Sequence, residues 1–134
     1  MSFRPDPRYQ SFWRQFRSGR FWEAHETLED LWRECATPDR EFYQGLIQVA
    51  ASLHHLGKGN MHGADKLART AREKLDPFGK THLGVQLESL LLGLASCLDD
   101  ARAGVDAAGR IPQPRPRVPR VDLAFGLDPA SLSD

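Results

Sequence analysis

Phe42-Tyr43-Gln44-Gly45-Leu46-Ile47-Gln48-Val49-Ala50-Ala51-Ser52-Leu53-His54-His55-Leu56 is the stretch whose periodicity decides the fold. At 100° per residue, Phe42, Leu46, Val49, Leu53 and Leu56 fall on one apolar stripe. Gln44, Gln48 and His55, with small Ala51 between them, form a second and polar stripe. Tyr43, Ile47 and His54 occupy the flank between the two. The spacing predicts a helix from Pro38 to about Leu56, capped by Thr37 and ended by Gly57 and Gly59. A helix with an amide-and-imidazole side opposite an apolar one is not a plain surface helix.

The neighbouring segments repeat the helical period. Upstream, Phe21 to about Glu34 has no Gly or Pro, and Phe21, Ala24, Leu28, Leu31 and Trp32 share a face. Before it, Asp6 caps a short segment to Ser18 whose Tyr9, Phe12, Trp13 and Phe16 make an aromatic stripe, and Gly19 stops it. Downstream, Asn60 caps a helix with Met61, Ala64, Leu67, Ala68, Ala71 and Leu75 on its inner side. Pro77 to Gly84 reads as a loop, and a fifth helix runs from about Val85 to Arg102 with Leu87, Leu90, Leu91, Leu94 and Leu98 inward. Apolar–polar alternation is absent, so no strand is expected. The reading is an all-α, compact single-domain array of about five helices over residues 1–104.

Residues 105–134 change character. Pro112, Pro114, Pro116 and Pro119 disfavour helix, and Arg110, Arg115, Arg117 and Arg120 lie among them without an acidic neighbour between Gly109 and Val121. This predicts a Pro/Arg-rich tail, extended and partly disordered, with Val118, Val121, Leu123 and Phe125 available to pin it to the domain. A solvated tail is the simpler reading of its charge.

Composition narrows the function classes. With 134 residues, 40% hydrophobic and 27% charged, the chain suits one core and excludes global disorder, a collagen repeat and a coiled-coil rod. No apolar run approaches the roughly 20 residues that span a bilayer, so no membrane association is expected. Met1–Asp6 has no apolar leader segment, and Cys35 and Cys97 lack metal-type spacing; both features fit reduced thiols in a cytoplasmic protein. A formal net charge of zero makes nucleic acid an unlikely partner.

The chemistry-bearing cluster is Glu23, His25, Glu26 and Glu29 on the second helix. His25 and Glu29, four apart, share a face. The string resembles the zinc-protease pattern H-E-x-x-H, but Glu29 replaces the second histidine, which weakens a protease reading. With His55 or His54 from the third helix, His25 and Glu29 could hold a divalent metal; the set chosen is His25, Glu29 and His55. The same groups, with Gln44 and Gln48, suit a closed hydrogen-bond network, which is the simpler reading of the cluster. Trp13, Trp22 and Trp32, at helical spacing, read as core. Gly57-Lys58-Gly59-Asn60 precedes a helix start and carries a lysine that could hold an anion, but it lacks the full phosphate-loop pattern and reads better as a turn between helices.

Taken together, Phe21-Trp22-Glu23-Ala24-His25-Glu26-Thr27-Leu28-Glu29 with Trp32, then Phe42 to Ala50 with His54-His55, then Gly59-Asn60 and Gly63-Ala64, resembles the family of domain of unknown function 309 (DUF309) over about residues 8–100. The resemblance implies a small all-helical protein of prokaryotic type, with plastid-lineage relatives, and no assigned activity. Carried onto this sequence, the family's polar positions fall on Glu23, His25, Glu26, Glu29, Gln48 and His54 or His55.

Three readings of function follow. In the first, a pocket between the second and third helices, lined by Glu23, His25, Glu26, Glu29, Gln44, Gln48 and His55, binds a small ligand or a metal ion. In the second, a metal-assisted hydrolase uses His25, Glu29 and His55 as ligands and Glu26 as general base. In the third, the cluster is a buried network in a structural or interaction module, whose helix faces recruit a partner or a second copy as a homodimer. The first is favoured.

Overall fold

Asp6 opens the first helix by accepting the Arg8 backbone N–H at 2.8 Å, with Pro7 at the position where a missing N–H costs nothing. A computed structural model describes residues 5–108, 110–111 and 117–127. Among these, α1 (Pro7–Arg17), α2 (Phe21–Glu34), α3 (Asp39–Gly57), α4 (Met61–Leu75) and α5 (Leu87–Arg102) pack in chain order, each against the next, and α5 also reaches α3. Met1–Arg4, Gly109, Pro112, Pro114, Arg115 and Pro116 lie outside the described residues, and with them much of the expected Pro/Arg tail.

The aromatic stripe of α1 lies at the centre of the core. Tyr9, Phe12, Trp13 and Phe16 are buried, with Phe12 and Trp13 in edge contact at 4.8 Å and Phe16 meeting Phe21 of α2 at 5.2 Å. The apolar stripe of α3 is buried throughout: Phe42, Leu46, Val49, Leu53 and Leu56. α3 and α4 approach closely because Gly45 has no side chain; a Cβ there would stand 2.7 Å from Leu75 Cγ. Ser52, fully buried, is satisfied across the same seam by donating to the Ala64 carbonyl at 2.7 Å. Asn60 caps α4 by accepting the Gly63 N–H at 3.0 Å. Among the described residues, no helix is long and apolar enough to cross a membrane.

Two local features depart from the sequence reading. The expected loop after α4 holds a single 3-10 turn (Asp76–Phe78) and a hairpin in which β1 (Thr81–His82) pairs antiparallel with β2 (Val85–Gln86). Leu83 at φ 44° and Gly84 at φ 78° form its two-residue turn, the left-handed geometry that matches strand twist. Because Val85 and Gln86 belong to β2, α5 begins at Leu87 rather than at Val85.

Residues 117–127 pack back over the helices as a strap. Val121 is buried, Arg17 donates to its carbonyl at 3.0 Å, and the Gln86 N–H donates to the Asp122 carbonyl at 3.1 Å. The Ala124 N–H bonds the Gly84 carbonyl at 2.7 Å, and Phe125 lies 5.8 Å from the Tyr9 ring. Gly93 of α5 makes room for the strap, since a Cβ there would come within 2.9 Å of Pro119 Cβ.

Candidate functional site

α2 and α3 run antiparallel, and two contacts bracket their seam. At one end Trp22 meets His54 with ring centroids 4.9 Å apart. At the other, the Arg40 guanidinium lies 4.2 Å from the centre of the Trp32 ring, a cation–π contact. His25 and Glu29 occupy the stretch of α2 between these brackets, while Gln44 and Gln48 lie on the stripe of α3 that they share with His55.

His25 is half-buried and stacks on Trp22, with centroids 4.6 Å apart and planes 17° from parallel. Its Nε2 lies 3.8 Å from the Glu29 carboxylate, which is also 3.8 Å from Arg33. Among the described residues, three polar atoms along these two helices are buried without a hydrogen-bond partner: His25 Nδ1, Gln48 Oε1 and Trp32 Nε1. Such atoms forfeit their water hydrogen bonds on folding and recover nothing within the protein.

The other residues named from sequence are distributed differently. Glu23 and Glu26 are exposed, and Gln44 is half-buried. His55 turns away from α2 toward the start of α4, its Nδ1 3.2 Å from the Asn60 side-chain amide. The neighbouring histidine, His54, is the one beside Trp22. The residues chosen as metal ligands, His25, Glu29 and His55, are therefore not brought together. Among the described residues, no group of three or more His, Cys, Asp or Glu side chains could hold a metal ion. The reason is geometric: adjacent helical residues point about 100° apart, so only one histidine of the pair can face α2.

The seam opens beside Trp22 into a cleft of about 340 Å³. Its walls come from the α1–α2 turn (Gly19, Arg20), the first turn of α2 (Phe21, Trp22, Glu23), the last turns of α3 (Leu53, His54, Leu56, Gly57, Lys58) and Arg117 of the strap. Trp22 is 45% exposed, so it is wall rather than core, unlike Trp13, which is fully buried. Desolvation is the main cause that holds the His54 imidazole below its ordinary pKa of 6.5, aided by His55, Lys58 and His25; Glu23 opposes them. His54 is thus a neutral ring at neutral pH, available as donor or acceptor. Arg117 is ion-paired with Asp100 of α5.

The sequence reading missed the cleft's Arg20 and Arg117, and set Lys58 aside as part of a turn. One signal was available for Trp22: it lies off the Phe21–Ala24–Leu28 stripe and beside Glu23, a position for an outward ring. Cys35 and Cys97 are both free, with Cys97 buried.

Residues 9–67 match the model of the family described as Domain of unknown function (DUF309). The match runs from α1 into the first half of α4 and contains both motif segments, so the resemblance holds over those residues and ends short of the residue-100 limit expected from sequence. No curated protein matches the chain.

Proposed function

We propose that this protein binds a small organic ligand at the α2–α3 seam, in the cleft whose mouth is formed by Trp22 and His54. The observation that carries the reading is the cleft itself, in which an exposed indole and an imidazole held neutral by burial share one recess with the cations of Arg20 and Lys58. A purely structural network is expected to close on itself, because each orphaned buried group costs about 1–3 kcal/mol. Here His25, stacked on Trp22, keeps its Nδ1 buried and unpaired among the described residues. An aromatic wall with a few polar groups beside it is the usual making of a small-molecule site, and 340 Å³ falls at the lower end of the range for one. A hydrolase reading has less to support it: Glu26, its intended general base, is exposed on α2 and has no ion-pair partner among the described residues.

The test is native mass spectrometry of the full chain after equilibration with a cell extract filtered to small molecules. The expected result is a discrete added mass on the wild-type protein that is lost in Trp22→Ala. No added mass, or one that Trp22→Ala retains, overturns the site.

A further inference from the structure

The cleft's charged wall says more about the ligand than the seam does, and the following step rests on the ligand-binding reading above. We infer that the ligand is an aromatic anion: a flat ring laid against Trp22, carrying a carboxylate or phosphate held between Arg20 and Lys58.

Two independent features lead there. The first is the ring surface. Trp22 is stacked on His25 at 17° and also meets the tilted His54 ring, so two neighbours hold it while 45% of it remains exposed. An indole held by its neighbours and still exposed at a cleft wall suits a planar ring, which buries area at little cost in conformational freedom.

The second feature is charge. Arg20 and Lys58 come from different elements, the α1–α2 turn and the end of α3, yet line the same cleft. Neither has an acidic partner within ion-pair distance among the described residues. Other cations, Arg8, Arg33, Lys74, Arg102 and Arg117 among them, are paired with carboxylates. Arg117, neutralised by Asp100, closes the wall without adding net charge, and Glu23 contributes one opposing charge at the rim. Arg20 and Lys58 therefore outweigh Glu23 and leave the cleft net cationic beside an aromatic face. Carboxylate and phosphate share the chemistry that would satisfy them, a charge-assisted hydrogen bond.

Calorimetric titration of the full chain with two matched pairs tests this: adenosine monophosphate against adenosine, and benzoate against benzyl alcohol. The anion of at least one pair is expected to bind about tenfold tighter than its neutral partner, the value of one charge-assisted contact. Whichever anion wins distinguishes phosphate from carboxylate. Arg20→Gln with Lys58→Gln should bring the pair to within about threefold, and Trp22→Ala should weaken both members. Nuclear magnetic resonance supplies an independent readout. His54 shares the site with His25 and Glu23 from α2, His55 and Lys58 from α3, Arg20 and Arg117, so a bound anion must raise its pKa and a neutral ligand must not.

If the neutral members bind as tightly as the anions, the charge assignment falls while the ligand site stands. If none of the four binds but the extract still gives a Trp22-dependent mass, the same is true. If neither experiment shows binding, both readings fall together.

Discussion

Gln48 buries its amide oxygen on α3 and finds no donor among the described residues. Replacing it with the similarly sized and apolar Met removes that unmet demand, so Gln48→Met should raise stability by about 1 kcal/mol. Urea unfolding should show the gain as a higher midpoint at unchanged slope. A loss of stability instead would place Gln48 in a structural network and count against the ligand reading. His54 makes a second residue-scale prediction, through pH. Its folded pKa lies below 6.5, so as pH falls beneath that value the unfolded chain takes up a proton that the folded chain resists. Stability from this residue is intact above pH 6.5 and declines as pH falls toward the folded pKa. Unfolding midpoints at pH 7.5 and 5.5 should therefore differ less in His54→Gln than in the wild type. No narrowing would mean that His54 is more solvated than its place in the cleft implies.

At the scale of elements, the α3–α4 seam depends on a missing side chain. Gly45→Ala puts a Cβ 2.7 Å from Leu75 Cγ, so the helices must separate; a loss of about 1–3 kcal/mol is expected, despite the better helix propensity of alanine. Thermal unfolding checks it, and an unchanged or raised midpoint would show that Leu75 can repack. The stripes that bring these helices together are visible in the sequence because they depend on one helix at a time: Phe42, Leu46, Val49, Leu53 and Leu56 all point inward as their spacing requires. The hairpin is a different case. Two-residue strands are too short to show alternation, and their hydrogen bonds are completed from a distance, by Asp122 and Ala124 on Gln86 and Gly84. The choice between His54 and His55 fails to show for a related reason. Both lie at legible positions on α3, but which one meets α2 depends on how α3 is rotated between α2 and α4, and that follows from close approaches such as Gly45 on Leu75. The polar seam could thus be located from sequence while its members could not be sorted into those that line the cleft and those that do not.

For the whole molecule, the strap ties together parts that are distant in sequence. Residues 117–127 touch α1 through Arg17, the hairpin through Gly84 and Gln86, and α5 through Gly93 and Asp100, and they place Arg117 in the cleft wall. The helices do not need the strap in order to find one another, since α1 to α5 pack in chain order around their own core. Val121, 5% exposed, is its main anchor, and burying a valine side chain is worth about 1.5–3 kcal/mol. A carboxylate at that site would have to be buried unpaired, so in Val121→Asp the strap should leave its groove rather than remain docked. The expected signature is a separation of two signals. Trypsin should cut after Arg117 and Arg120 about tenfold faster or more, because exposed extended chain is cleaved from locally open states, while the far-UV dichroism of the five helices stays as in the wild type. Ligand affinity should fall as well, since the cleft loses the wall that Arg117 completes. If the helical signal collapses together with the strap, the strap is part of the cooperative core, and the helices cannot hold the cleft in shape without it.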